Sequence, residues 1–200
     1  MQSAEGAEME MTVSEKDFWM ERRIEIPVLE EKDIFLRWMD EGDTDDIIRW
    51  RNSKFVYRNF IYQSPFTRQG HEKWMREMIG TGKAVQFMII RKDTGSPIGS
   101  VYLRDIDQTH HKAEYGVFIG EKAALGKGFG TQAAKLMICY AFDTLGLHKL
   151  MLRVLADNLP AIKSYEKAGF IREAYLKDEV YLEETYKDVI YMAVINDEND

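Results

Sequence analysis

Short apolar runs bounded by turn residues predict strands at 33–39 (DIFLRWM), 84–91 (AVQFMIIR), 97–106 (PIGSVYLRDI), 112–120 (KAEYGVFIG) and 148–156 (HKLMLRVLA). Helical spacing appears in GDTDDIIRWRN (42–52), with Asp43 or Thr44 as N-cap and acidic residues in the first turn. A second helix is predicted over TRQGHEKWMREMI (67–79), stopped by Gly80 and Gly82, and a long third one over roughly 128–144, closing near Gly146. PAIKSYEKAGF (160–170) predicts a short helix with Pro160 in its first turn and Gly169 at its end. The segment 170–195 reads as two closing strands joined by an acidic, tyrosine-rich connection. KDTGS (92–96) is a hairpin turn. Strands therefore meet as hairpins first and alternate with helices later. That order predicts an α/β (α+β) fold with a mixed, mostly antiparallel sheet and helices on both faces.

No internal repeat, low-complexity tract or proline-rich linker divides the chain, so one domain is expected over 21–200, after a polar, disordered lead-in at 1–20. The 200 residues, 45% of them hydrophobic, suffice to bury a core. No apolar run reaches the ~18 residues of a membrane span, and the N-terminal stretch lacks the basic and apolar regions of a secretory signal. The single cysteine, Cys139, rules out an internal disulfide framework and makes a reducing cytoplasm the expected compartment. Among Met137, Ile138 and Tyr140 it is expected to be a buried, inert thiol. A net charge of −7 without any Lys- or Arg-rich stretch argues against nucleic acid as a partner. The four histidines lack metal-ligand spacing: His110 and His111 are adjacent in a turn, while His71 and His148 read as structural.

The most unusual stretch is AALGKGFGTQAAKLMICYAF (123–142), where Gly126, Gly128 and Gly130 alternate directly ahead of a helix. A Walker A loop fails on spacing, and Lys127 is followed by glycine. The dinucleotide fingerprint G-x-G-x-x-G fails too, because this stretch has G-x-G-x-G and comes late, after hairpin strands. Two readings remain. One is a nest of backbone N–H groups at a helix N-terminus that binds a pyrophosphate. The other is a glycine turn that packs helix against sheet. Downstream, ADNLPAIKSYEKAGF sets Asn158 and Tyr165 two helical turns apart. Taken alone, Asn158 reads first as an N-cap and Tyr165 as a core residue.

With GKGFGT (126–131) opening the long helix and DNLPAIKSYEKAGF (157–170) following the next strand, residues 33–195 resemble the GNAT superfamily of acyl-CoA-dependent N-acetyltransferases. Other segments are similar to the ribosomal-protein alanine acetyltransferase-like branch and to amino-sugar acetyltransferases. The resemblance implies a central sheet of about six to seven strands with a splayed parallel pair, here 112–120 and 148–156. It further implies acetyl-CoA as cosubstrate, with no metal. Backbone contacts to the pantetheine would come from Phe118 and Ile119, and the pyrophosphate would sit on Leu125, Gly126, Lys127, Gly128, Phe129, Gly130 and Thr131. Asn158 would bond the pantetheine through its amide. Leu125 departs from the family pattern, standing where relatives carry Gln or Arg.

Direct transfer to an amine needs a base for the amine proton and an acid for the departing thiolate. Tyr165 matches the family's tyrosine and is the expected acid. Glu114, the one carboxylate inside strand 112–120, resembles the glutamate that relatives use with a water; the alternative is a glutamate paired to an arginine or exposed. The acidic runs 40–46 and 178–184 would attract a cationic amine or serve as solvated turns. WRN (Trp50, Arg51, Asn52) and the aromatic group Phe55, Tyr57, Phe60 and Tyr62 follow the first helix, where relatives place substrate-binding elements; core packing is the equal alternative. The expected acceptor is a small-molecule or peptide amine: a protein N-terminus, an amino sugar, a polyamine or a similar compound. A noncatalytic acyl-CoA-binding module is the alternative function. No membrane partner is expected, and a homodimer could form through the tyrosine-rich 175–191 edge.

Overall fold

The computed structural model describes residues 29–197; the expected disordered lead-in at 1–20 lies outside them. Seven strands form one mixed sheet in the order β1-β2-β3-β4-β5-β7-β6. They are β1 (Ile34–Trp38), β2 (Ala84–Arg91), β3 (Pro97–Asp107), β4 (Lys112–Ile119), β5 (Lys149–Leu155), β6 (Ile171–Leu182) and β7 (Thr185–Ile195). The helices are α1 (Thr44–Arg51), α2 (Lys54–Tyr57), α3 (Arg68–Trp74), α4 (Phe129–Cys139) and α5 (Leu159–Ala168).

β2 shows why the sheet is covered on both sides. Its residues are buried almost throughout, as a strand sandwiched between helical layers requires. Val85, Phe87 and Ile89 join the cluster built with Ala133, Met137 and Tyr140, whereas Met88 and Ile90 join one with Ile47, Trp50 and Ile79. Alternation along a strand delivers successive side chains to opposite faces. β4 divides in the same way, Tyr115 to the first cluster and Phe118 to the second.

Several boundaries differ from the sequence reading for identifiable reasons. The helices expected over 67–79 and 128–144 each end in a widened π turn, Met75–Ile79 and Tyr140–Thr144. There the N–H of Gly80 bonds the Met75 carbonyl, and that of Leu145 the Tyr140 carbonyl. Asp43 does not cap α1 with its side chain. Its carboxylate is engaged by the Arg37 guanidinium at 2.7 Å and by the Asp40 N–H at 2.9 Å. The acidic connection near the C-terminus shrinks to the turn residues Glu183 and Glu184, both at positive φ; Asp178 to Leu182 belong to β6. Cys139 is exposed, not buried. It lies on the outer side of α4, while Ala133, Leu136, Met137 and Tyr140 face the sheet.

His71 on α3 is fully buried, and neither ring nitrogen has a hydrogen-bond partner. Burial is the main cause holding its pKa below the ordinary value, with Arg68 adding to it. The unfolded chain therefore binds the proton at a higher pH than the folded one. Stability from neutral His71 is complete above the unfolded value of about 6.5 and is lost as pH falls through the lower folded value. We expect His71→Leu to stabilise the protein at pH 5 by about 1–3 kcal/mol, because it removes an unsatisfied buried polar group. Thermal unfolding at pH 5 and 7.5 measures it; an equal or larger acid loss in the variant would contradict the assignment.

Candidate active site

The parallel partners β4 and β5 pair only at their N-terminal ends, Lys112 with Lys149 through Glu114 with Met151. Beyond that point they separate. On its other side β5 pairs with β7 along its whole length, and β4 stays registered with β3 through Ile119. The stretch Tyr115–Ile119 consequently presents an edge with no strand on its β5 side, and a cleft of ≈ 1230 Å³ opens there.

One end of the cleft is the turn leading into α4. Gly126 and Gly128 adopt φ values of +73° and +81°, a region that side chains disfavour, and a Cβ on either would meet no protein atom within 4 Å. These two glycines leave the backbone at the α4 N-terminus bare toward the cleft. Gly128 is the N-cap position and supplies no side-chain cap, so the first N–H groups of α4 remain available to a ligand. Gly130 differs: it has no positive φ, and an added Cβ would rest at an ordinary 3.6 Å from the Ser164 hydroxyl. Thr131 bonds that same hydroxyl at 2.8 Å, tying α4 to α5. Leu125 is half exposed on the rim. Phe129 is buried against the core and also borders the cleft. Lys127 is exposed and does not line it.

Asn158 caps α5, its side-chain oxygen accepting from the Ala161 N–H at 3.4 Å. The cap uses only the oxygen. Its amide NH₂ is free of protein partners among the described residues, and the residue borders the cleft. Seven residues on, the Tyr165 ring stands edge-on to Tyr115 and Phe170, with centroids 6.0 Å away in both cases. The Tyr165 hydroxyl bonds no protein group among the described residues. Burial, then the nearby Tyr102, raises its pKa well above the ordinary tyrosine value, so it stays protonated through neutral pH.

Glu114 and its neighbours form the other end. The carboxylate accepts from Arg104 at 2.7 Å and from Arg153 at 3.2 Å. The arginine-paired alternative thus holds for its ground state, and both guanidiniums bring positive charge into the site. Tyr62 lies between them, its hydroxyl 3.2 Å from Arg153 and its ring 5.6 Å from the Arg104 guanidinium carbon. Arg51, Phe55 and Phe60 line the cleft as well, but Tyr57 does not.

Arg104, Arg153 and Tyr102 were not singled out from the sequence. Arg104 opposite Glu114 is a cross-strand pair that the β3–β4 hairpin register would reveal. Arg153 carried no local signal, since it reaches Glu114 only through the parallel pairing of β4 and β5. Most of the acidic run 40–46 is occupied internally: Asp40 and Asp43 pair with Arg37, Asp45 with Arg68, and Asp46 with Arg49. Among the described residues no group of three His, Cys, Asp or Glu side chains could hold a metal ion, and no helix is long and apolar enough to cross a membrane.

A splayed parallel pair beside a glycine turn at a helix N-terminus defines an acyl-CoA-dependent transferase site. Residues 33–171 match the acetyltransferase (GNAT) domain family, and the chain belongs to that family. It is 32% identical over 147 residues to an uncharacterised N-acetyltransferase of Bacillus licheniformis, covering 72% of this chain and 82% of the relative. A Bacillus subtilis protein named as a proposed ribosomal N-acetyltransferase is 31% identical over 104 residues, 52% of this chain and 56% of that one. The crystal structure of spermidine N-acetyltransferase from Vibrio cholerae with CoA and spermine superposes with a TM-score of 0.76 at 26% identity, covering 82% of this chain and 96% of the other. The protein is an N-acetyltransferase with the GNAT fold, and acetyl-CoA is its cosubstrate. The open β4 edge and the bare Gly126–Gly128 turn fit that molecule's extended amide arm and its pyrophosphate.

Proposed function

We propose that the protein moves an acetyl group directly from acetyl-CoA to a primary amine, with Tyr165 and Glu114 as the proton-transfer residues. The observation that carries this reading is the shared cleft: the unpaired edge of β4, the Gly126–Thr131 turn, the amide of Asn158 and the free hydroxyl of Tyr165 all border it. Acetyl-CoA supplies a thioester carbonyl that an amine can attack. Backbone N–H groups at Gly126, Gly128, Phe129, Gly130 and Thr131 hold the pyrophosphate, with Leu125 at the rim and the exposed Lys127 adding positive charge from outside the cleft. Phe118 and Ile119 bond the amide arm through their backbones, and Asn158 adds its NH₂. Tyr165, kept protonated by burial, donates to the departing sulfur.

An amine must be neutral to attack, while an alkylammonium has a pKa of about 10.4. Glu114, acting through a water, takes that proton. We expect Glu114→Gln to lower kcat about 10²-fold while leaving acetyl-CoA affinity within about twofold. A variant that merely loses stability, with kcat intact, would reduce Glu114 to an anchor for Arg104 and Arg153.

The relatives' names supply a spermidine acceptor and a ribosomal one as candidates, beside amino sugars. Thiol release measured across a panel of such amines tests the reading; acetyl-CoA binding without turnover on any amine would favour the noncatalytic module. Exposed Ile171, Tyr175, Tyr181 and Tyr186 on the β6–β7 hairpin support the homodimer expected from the sequence, which sedimentation velocity would detect.

A further inference from the structure

Charge inside the cleft is unevenly paired. Glu114 is held by Arg104 and Arg153, and Asp157 lies 3.6 Å from Lys187. Arg51, at the C-terminal end of α1, borders the same cleft and has no carboxylate partner among the described residues. Its guanidinium carbon lies 3.8 Å from the Phe60 ring centroid and 4.8 Å from that of Phe66. Aromatic rings hold a planar guanidinium by its faces, which leaves its N–H edge to donate. The Tyr102 hydroxyl is a neutral hydrogen-bond partner on one part of that edge, and Arg104 is close enough to oppose the Arg51 charge. Phe60 in turn packs edge-on against Phe118 of β4, with ring centroids 5.9 Å apart, which sets Arg51 beside the open stretch of that strand.

An arginine stays charged in a protein, so a partly buried one without a counter-charge is unfavourable until an anion arrives. Arg58, Lys163 and Lys167 add exposed lining cations that have no carboxylate partner among the described residues. Against these, Glu183 from the β6–β7 turn is a lining carboxylate with no cation partner among the described residues. Four of the five carboxylates in the run 40–46, all but Glu41, are already engaged with Arg37, Arg49 and Arg68. The positive wall is local, since the chain as a whole carries −7.

Resting on the acetyl-transfer reading, we propose that the acceptor is a primary amine bearing a carboxylate or phosphate, whose oxygens the Arg51 fork receives, and that purely cationic polyamines are poor acceptors. In the reaction the amine nitrogen forms the bond to the acetyl carbon, and the carbon–sulfur bond breaks. The amine proton leaves toward Glu114 and the sulfur takes one from Tyr165, giving a neutral N-acetyl amide that keeps its carboxylate or phosphate, and free CoA thiol; solvent then returns a proton from Glu114 to Tyr165. The bidentate geometry of carboxylate and phosphate with arginine makes Arg51 a specificity residue for this class.

The test is thiol-release kinetics on matched acceptors: glucosamine with glucosamine 6-phosphate, ethanolamine with phosphoethanolamine, cadaverine with 6-aminohexanoate, and spermidine alone. The anionic member of at least one pair is expected to have a kcat/KM about tenfold or more above its partner and above spermidine. Which pair responds tells phosphate from carboxylate. In Arg51→Gln the ratio falls toward one, and Arg51→Lys restores part of it. Acetyl-CoA titration of each variant checks that the cosubstrate site is intact. Equal or reversed ratios, a preference for spermidine, no reaction with any anionic amine, or an unchanged ratio in Arg51→Gln would overturn the inference, while turnover of any amine in the panel would uphold the transferase reading. Absence of acetyl-CoA binding in the unmodified protein would overturn both.

Discussion

Tyr165→Phe is expected to lower kcat about 10²- to 10⁴-fold, the range of general-acid contributions, while leaving acetyl-CoA affinity within about twofold. The substitution removes one hydroxyl and keeps the ring, so the edge-on packing with Tyr115 and Phe170 survives. No hydrogen bond to a described residue is lost, which separates a chemical effect from a structural one. The pH dependence has a definite sign. Because burial raises the Tyr165 pKa, the acid form persists above the usual value of about 10. Activity should therefore show no alkaline decline from this group below about pH 10. A rate loss under threefold with unchanged binding would remove Tyr165 from the proton-transfer step.

Gly128→Val is expected to weaken acetyl-CoA about 10- to 100-fold, with little loss of folding apart from local strain. At φ +81° a β-branched residue costs about 1–2 kcal/mol in the left-handed region. The added carbons clash with no protein atom, since the space beyond Gly128 is open. They occupy instead the side from which a pyrophosphate would approach. A lost hydrogen bond to a charged group is worth about 1.5–3 kcal/mol, which converts to the stated range. Gly130→Ala is the internal control: its backbone has no positive φ and its Cβ would have room beside Ser164, so affinity should change less than about threefold. Equal losses at both positions would mean that the turn acts through packing, not as a backbone cradle.

The strand sequence of the sheet was legible because each run is short, apolar and bounded by turn residues. The β2–β3 hairpin follows from KDTGS directly, and α5 from Pro160 and Gly169. Asn158 behaves as the N-cap that its local sequence suggests, which leaves only its NH₂ for a ligand. The widened turns at Tyr140–Thr144 and Met75–Ile79 were not legible, because an i+5 hydrogen bond leaves no distinct apolar period. Cys139 was misplaced by reading its immediate neighbours; one helical position rotates a side chain by about 100°, enough to carry it from the core to solvent. The site's positive wall was hidden for another reason. Arg51, Arg104 and Arg153 come from α1, β3 and β5, distant in the chain, and only the sheet order gathers them around one cleft. Net charge conceals such a cluster completely.

The most direct test of the account is calorimetric titration of the purified protein with acetyl-CoA, with ATP and NAD as controls, because it requires no knowledge of the acceptor. The account predicts saturable micromolar binding of acetyl-CoA, weakened in Gly128→Val and retained in Tyr165→Phe, with no comparable heat from NAD. Absence of acetyl-CoA binding, or equal binding of all three nucleotides, would contradict it.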